Sequence, residues 1–158
     1  MPKFSTISKI KLGTVHTDLR TLFEYTIKYI DCTVLYGNRS PEEQLELYKK
    51  GRKEVNGQWL VKDSLQIVTT KDGTIKKSNH NYIPSMAVDV APYYSEKPHI
   101  RWDDTDTLYY FAGLVMGLAL MLKEVGIINS EIRWGGDWDM DSDLHDQSFM
   151  DLVHFEIK

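Results

Sequence analysis

Three short stretches of this sequence carry side chains that could converge on one reaction. His80 follows Ser78 and Asn79, Asp89 lies within Ala87-Val88-Asp89, and His154 lies within Asp151-Leu152-Val153-His154-Phe155-Glu156. Two imidazole nitrogens and a carboxylate oxygen form a donor set suited to zinc, with the fourth tetrahedral position open for water. An open position implies catalysis: zinc brings the pKa of a bound water to about 7, and a nearby carboxylate can take its proton as it attacks a carbonyl. Asp151 suits that role, because a base three residues from a ligand can lie close to the ion without coordinating it. Taken singly, each residue has an ordinary reading. A lone histidine beside apolar residues is more often a hydrogen-bonded structural group, a lone strand aspartate is usually a cap or ion-pair partner, and Arg39 by itself reads as a solvated turn residue.

The elements that must position these groups follow from periodicity. Leu19, Leu22, Phe23, Thr26, Ile27 and Ile30 recur at helical spacing, which predicts a first amphipathic helix over 17–30 with Asp18 at its positive end. Cys32 to Tyr36 is β-branched and aromatic and predicts a strand that delivers Arg39 at its exit. Ser40-Pro41-Glu42-Glu43 supplies a cap, a first-turn proline and first-turn acids for a helix to about Lys50, with Gly51 as its stop. From Arg52 to Lys77 the chain is polar and contains Asn56-Gly57 and Asp72-Gly73. It reads as a surface excursion with a hairpin and short β pieces at 59–61 and 66–69. Met86 to Val90 predicts a strand, and Asp104-Thr105-Asp106 opens a core helix to about Gly126, in which Gly113 and Gly117 would admit a close neighbour. Ile132 to Trp134 and His154 to Ile157 read as two closing strands.

Bulk properties bound the rest. With 158 residues, 42% of them hydrophobic, and a net charge of −4, the chain fits one compact domain over 1–158. The absence of a basic stripe argues against nucleic acid. Cys32 is the only cysteine, so a metal must be held by histidine and carboxylate, and Cys32 itself reads as a buried strand residue. The amino terminus, Met1-Pro2-Lys3-Phe4-Ser5-Thr6, has no apolar core or cleavage site of a secretory signal, so synthesis without export is expected. The apolar run 108–122 is shorter than the roughly 20 residues of a spanning helix, so no membrane insertion is expected. The alternating carboxylates Asp137, Asp139, Asp141 and Asp143 lack the central glycine and terminal glutamate of a calcium loop and read as a solvated acidic loop, with Asp137 a candidate to orient a ligand or Arg39. His99 and His145 read as surface residues.

In this order the motifs resemble the M15 family of zinc peptidases, which includes D-alanyl-D-alanine carboxypeptidases and phage L-alanyl-D-glutamate endopeptidases. The resemblance starts at Gly37-Asn38-Arg39-Ser40-Pro41-Glu42-Glu43-Gln44 and passes through Leu47-Tyr48, Gly51-Arg52, Ser78-Asn79-His80 and Ala87-Val88-Asp89. It closes with Trp134-Gly135-Gly136-Asp137-Trp138 and Asp151 to Glu156. It implies that His80, Asp89 and His154 are zinc ligands, that Asp151 is the catalytic acid/base, that Arg39 steadies the substrate carbonyl and that Ser78 contacts substrate. Two departures stand out: the stretch between His80 and Asp89 is longer by two than the common pattern, and Ser85 stands where glycine is usual.

The implied fold is α+β of the hedgehog/DD-peptidase type, with helices on one side of a small antiparallel sheet and a metal cleft between strand ends and the 52–77 excursion. The implied function is zinc-dependent cleavage of peptidoglycan stem peptides by a monomeric phage endolysin. Such an enzyme waits in the host cytoplasm until lysis and then acts on the wall at the L-alanyl-D-glutamate bond. Two alternatives stand beside it: a D-alanyl-D-alanine carboxypeptidase, and a non-catalytic, zinc-stabilised wall-binding domain.

Overall fold

The computed structural model describes residues 1–158. Four strands form an antiparallel sheet in the order β1 (Cys32–Tyr36), β4 (Ala87–Pro92), β6 (Asp151–Ile157), β5 (Ile132–Gly135). Helices α2 (Thr17–Thr26) and α4 (Thr105–Glu124) cover one face, as the α+β reading requires. Strand alternation explains which face is which: Val88 and Val90 of β4 and Phe155 of β6 join the helices in the core, where Phe155 meets Phe23 and Phe111 edge-on at 5.4 and 6.2 Å. Asp89 and His154 therefore point to the other face.

The caps read from sequence are present. Ser40 and Glu43 close a reciprocal capping box on α3 (Pro41–Lys49), and Asp104 accepts the Thr107 N–H at the start of α4. The α4 residues Leu108, Phe111, Ala112, Val115, Ala119 and Leu122 form its buried stripe. By length and composition α4 could cross a membrane, yet this stripe is spent on the sheet and α2.

Several expectations need correction. An additional helix, α1 (Thr6–Leu12), precedes α2; Ile7 and Ile10 face outward, which masks its periodicity. It covers the edge strand β1, with the Ser8 hydroxyl accepting the Val34 N–H and Lys11 Nζ donating to Leu35 O. α2 stops at Thr26 because the next amides of Lys28 and Tyr29 bond three residues back, tightening the chain into turns. The hairpin exists as β2 (Arg52–Val55) and β3 (Gln58–Val61), joined at Asn56 and Gly57, both at positive φ as a type I′ turn needs. Residues 66–69 form no strand; the local structure is a 3₁₀ turn, Ser64–Gln66, capped by Asp63. Gly113 and Gly117 lie on the exposed side of α4, where an added Cβ would touch nothing, so they admit no close neighbour.

Asp18 does more than suit the helix dipole. Its buried Oδ2 accepts N–H bonds from Asn129 and Ser130 and the Ser130 hydroxyl, tying α2 to the loop before β5. Burial alone would raise its pKa, but these hydrogen bonds outweigh it and hold the carboxyl below its ordinary 3.8. Asp18→Ala strands two backbone donors and is expected to cost about 2 kcal/mol in chemical denaturation. Because the folded pKa is the depressed one, the carboxylate's contribution is complete above the unfolded value and disappears as pH falls through the folded value. The wild-type advantage should therefore shrink as pH falls below the unfolded value of about 4, and an advantage that does not diminish on acidification would contradict this role.

Candidate active site

The site is built on the sheet face opposite the helices. Asp89 and His154 are register partners on β4 and β6, so their side chains emerge next to each other. His80 comes from a 3₁₀ turn, Asn79–Asn81, held by a reciprocal box between Ser78 and Asn81. The turn is anchored by backbone bonds from Arg39 N to His80 O and from Met86 N to Asn79 O, and by Asn38 Nδ2, which donates to His80 O and Tyr82 O.

The longer stretch between His80 and Asp89 is accommodated without disturbing this anchor. Tyr82 and Ile83 project into solvent, with Ile83 89% exposed. Ser85 is fully buried, donates its hydroxyl to Ala87 O and does not have the positive φ that would demand glycine.

His80 Nε2, Asp89 Oδ1 and His154 Nδ1 lie 3.1, 2.9 and 3.3 Å from one another, and all three residues are buried. Tetrahedral zinc with bonds of about 2.0–2.1 Å needs ligand atoms about 3.3 Å apart, so the three atoms already stand close to the edges of such a polyhedron. The outer ring nitrogens are engaged: His80 Nδ1 donates to Gly37 O at 2.7 Å, and His154 Nε2 lies 3.0 Å from Glu156 Oε2. The Gly37 carbonyl can only accept, so the lone pair of neutral His80 lies on Nε2 and faces inward. The donor set therefore fits zinc.

Electrostatics favours a cation here. Burial by itself would raise Asp89, but the two histidines hold it far below the usual carboxylate range. Burial would lower His154, yet hydrogen bonds to Asp89 and Glu156 outweigh it and raise its pKa. Asp151, at the start of β6, shifts upward, first because it is desolvated and second because Asp89 repels its charge. A carboxyl tuned upward beside the cluster is suited to exchange a proton.

Arg39 is buried rather than solvated. Its Nη2 lies 3.4 Å from Asp89 Oδ2, its Nη1 donates to Gln44 Oε1, its guanidinium sits over the Tyr36 ring, and its Nε has no partner. Gln44 in turn donates to Lys71 O and the Thr69 hydroxyl. The 52–77 excursion thus contributes no atom to the cluster and is linked to Arg39 through Gln44. Ser78 accepts the His80 N–H, which leaves its hydroxyl hydrogen free.

Glu156 and Trp138 also belong to the site, although no role was read for them in the sequence. Glu156 follows His154 by two residues on one strand and so shares its face. The Trp138 ring tilts over His154 at 5.4 Å and its Nε1 donates to Phe149 O. Gly135 permits this packing, since a Cβ there would collide with the Asp151 carbonyl and crowd Trp138. Asp137 does not reach Arg39 or the buried cluster; its carboxylate accepts the N–H groups of Asp141 and Ser142 within its own loop. His99 stacks on Tyr93 and His145 is exposed, and neither joins the cluster.

Residues 1–158 match the profile of a family described as phage L-alanyl-D-glutamate peptidase. No curated protein sequence matches the chain. The fold is similar to the crystal structure of the Serratia marcescens L-Ala D-Glu endopeptidase ChiX, with a TM-score of 0.65 and 21% identity over 99% of this chain and 90% of that one. At that identity the likeness speaks for the architecture, whereas the family match spans every residue. The chain belongs to the phage L-alanyl-D-glutamate peptidase family.

Proposed function

We propose that the chain is a zinc-dependent peptidoglycan endopeptidase that cuts the L-alanyl-D-glutamate bond of stem peptides, with His80, Asp89 and His154 holding the ion. The observation that carries the zinc assignment is the approach of three buried donor atoms to within 3.3 Å of one another. Family membership carries the peptidase activity and the bond. When bound, zinc supplies Lewis acidity, which makes water a nucleophile near neutral pH and polarises a carbonyl.

The chain's own groups do the rest. Asp151 takes the proton of the attacking water and returns it to the departing amine, a role supported by its upward-shifted pKa. Arg39 donates to the oxygen of the scissile carbonyl as negative charge develops there; the approach of its Nη2 to within 3.4 Å of Asp89 Oδ2 supports that role. The free hydroxyl hydrogen of Ser78 supports a contact to the substrate peptide. No covalent intermediate with the enzyme is needed. The protein acts as one domain and as a monomer, made in the host cytoplasm and reaching the wall once the inner membrane opens.

Mass spectrometry of digested, purified peptidoglycan tests the bond. The expected products are glycan strands that retain L-alanine and released peptides that begin with D-glutamate. Free D-alanine as the sole product would replace this reading with the carboxypeptidase, and no product from zinc-loaded protein would favour the non-catalytic domain.

A further inference from the structure

Beyond the proposed ligands, the nitrogens of three side chains surround the buried carboxylate of Glu156. Its Oε2 accepts from Asn79 Nδ2 at 2.8 Å and faces His154 Nε2 at 3.0 Å, and its Oε1 accepts from Arg133 Nε at 3.0 Å and from Arg133 Nη2. Three N–H groups, one from Asn79 and two from Arg133, thus point at the two oxygens and favour an ionised carboxylate, which can only accept, so the proton of neutral His154 belongs on the Nε2 that faces it.

Each donor leads back to the site. Asn79 immediately precedes His80, so the carboxylate joins the turn that carries one histidine to the strand that carries the other. Arg133 Nη1 donates to Trp138 O, and the Trp138 ring packs on His154. The hydrogen bonds therefore close a circuit from His154 through Glu156 and Arg133 to the residue that covers His154.

We infer that Glu156 is a positioning residue: by accepting from His154 Nε2 it turns the Nδ1 lone pair toward His80 and Asp89, and through Asn79 and Arg133 it holds the two histidine-bearing segments in register for metal binding. The inference rests on the reading of His80, Asp89 and His154 as the zinc ligands. A carboxylate behind a coordinating histidine fixes its ring and strengthens it as a ligand, and loss of such a partner typically weakens metal affinity by roughly 10- to 100-fold.

Glu156→Gln tests this, because the amide keeps the shape but sets its own NH₂ against at least one of the four donors. Zinc affinity is measured by chelator competition on the full chain, well below the melting temperature of the zinc-free protein. His154 ring-nitrogen shifts are recorded in the zinc-loaded protein. The expected result is an affinity lower by roughly 10- to 100-fold, with a second His154 population that is protonated on Nδ1 and therefore detached from the ion. A purely structural role would lower the zinc-free melting temperature but leave affinity and tautomer unchanged, and that result overturns the inference. If Glu156→Gln does not fold, Arg133→Met decides: zinc binding weakened by roughly tenfold supports it, and unaltered binding overturns it. Wild-type protein that binds no zinc, or His80→Ala that binds it as tightly as wild type, would instead remove the ligand reading itself.

Discussion

Asp151→Asn is expected to remain folded and zinc-loaded while losing roughly 10²- to 10⁴-fold in kcat. The amide matches the carboxylate in shape but cannot take a proton from water or return one to an amine. Folding should not suffer, because the wild-type carboxylate is desolvated and repelled by Asp89, so neutralising it removes an unfavourable interaction. Zinc content by elemental analysis, together with turnover on purified peptidoglycan, separates the two effects. Activity within a few-fold of wild type would remove Asp151 as the acid/base, and a parallel loss of zinc would make it a metal-binding group instead.

His80→Ala is expected to fail at the preceding step. The wild-type ring is only 2% exposed and offers Nε2 to the cluster while Nδ1 is bound to Gly37 O. Removing it deletes one of three donors, so zinc affinity should fall by more than the roughly 100-fold upper range for losing an outer partner. Hydrolysis should fall with it at limiting zinc and recover only in part at high zinc. The contrast between the variants is diagnostic: one keeps metal and loses turnover, the other loses turnover because it loses metal. Zinc affinity unchanged in His80→Ala would contradict its place among the ligands.

The sequence already disclosed the three side chains that meet in the buried cluster and the elements that carry them, and the reasons are local. Val88, Asp89 and Val90 alternate in a strand, His154 and Phe155 do the same, and Ser40-Pro41-Glu42-Glu43 and Asp104 are self-contained helix signals. What the sequence does not show depends on contacts between residues of separate elements. The burial of Arg39 arises from Asp89 and Gln44, 50 and 5 positions away. The importance of Asp18 comes from Asn129 and Ser130, more than 110 residues along the chain. Glu156 shares the face of His154 by simple strand alternation, which the sequence does show, but its partners Asn79 and Arg133 are set by the sheet and the 79–81 turn. Gly113 and Gly117 mislead for the opposite reason: their spacing suggests a close crossing, while the neighbouring Phe111, Ala112 and Val115 direct the packing and leave both glycines outside.

The proposed chemistry requires zinc to sit among His80, Asp89 and His154. Diffraction from zinc-loaded crystals, recorded on both sides of the zinc absorption edge, should give one strong anomalous peak about 2.0–2.1 Å from His80 Nε2, Asp89 Oδ1 and His154 Nδ1. A peak among Asp137, Asp139 and Asp141 instead, or no peak in crystals of protein that still cleaves peptidoglycan, would contradict it.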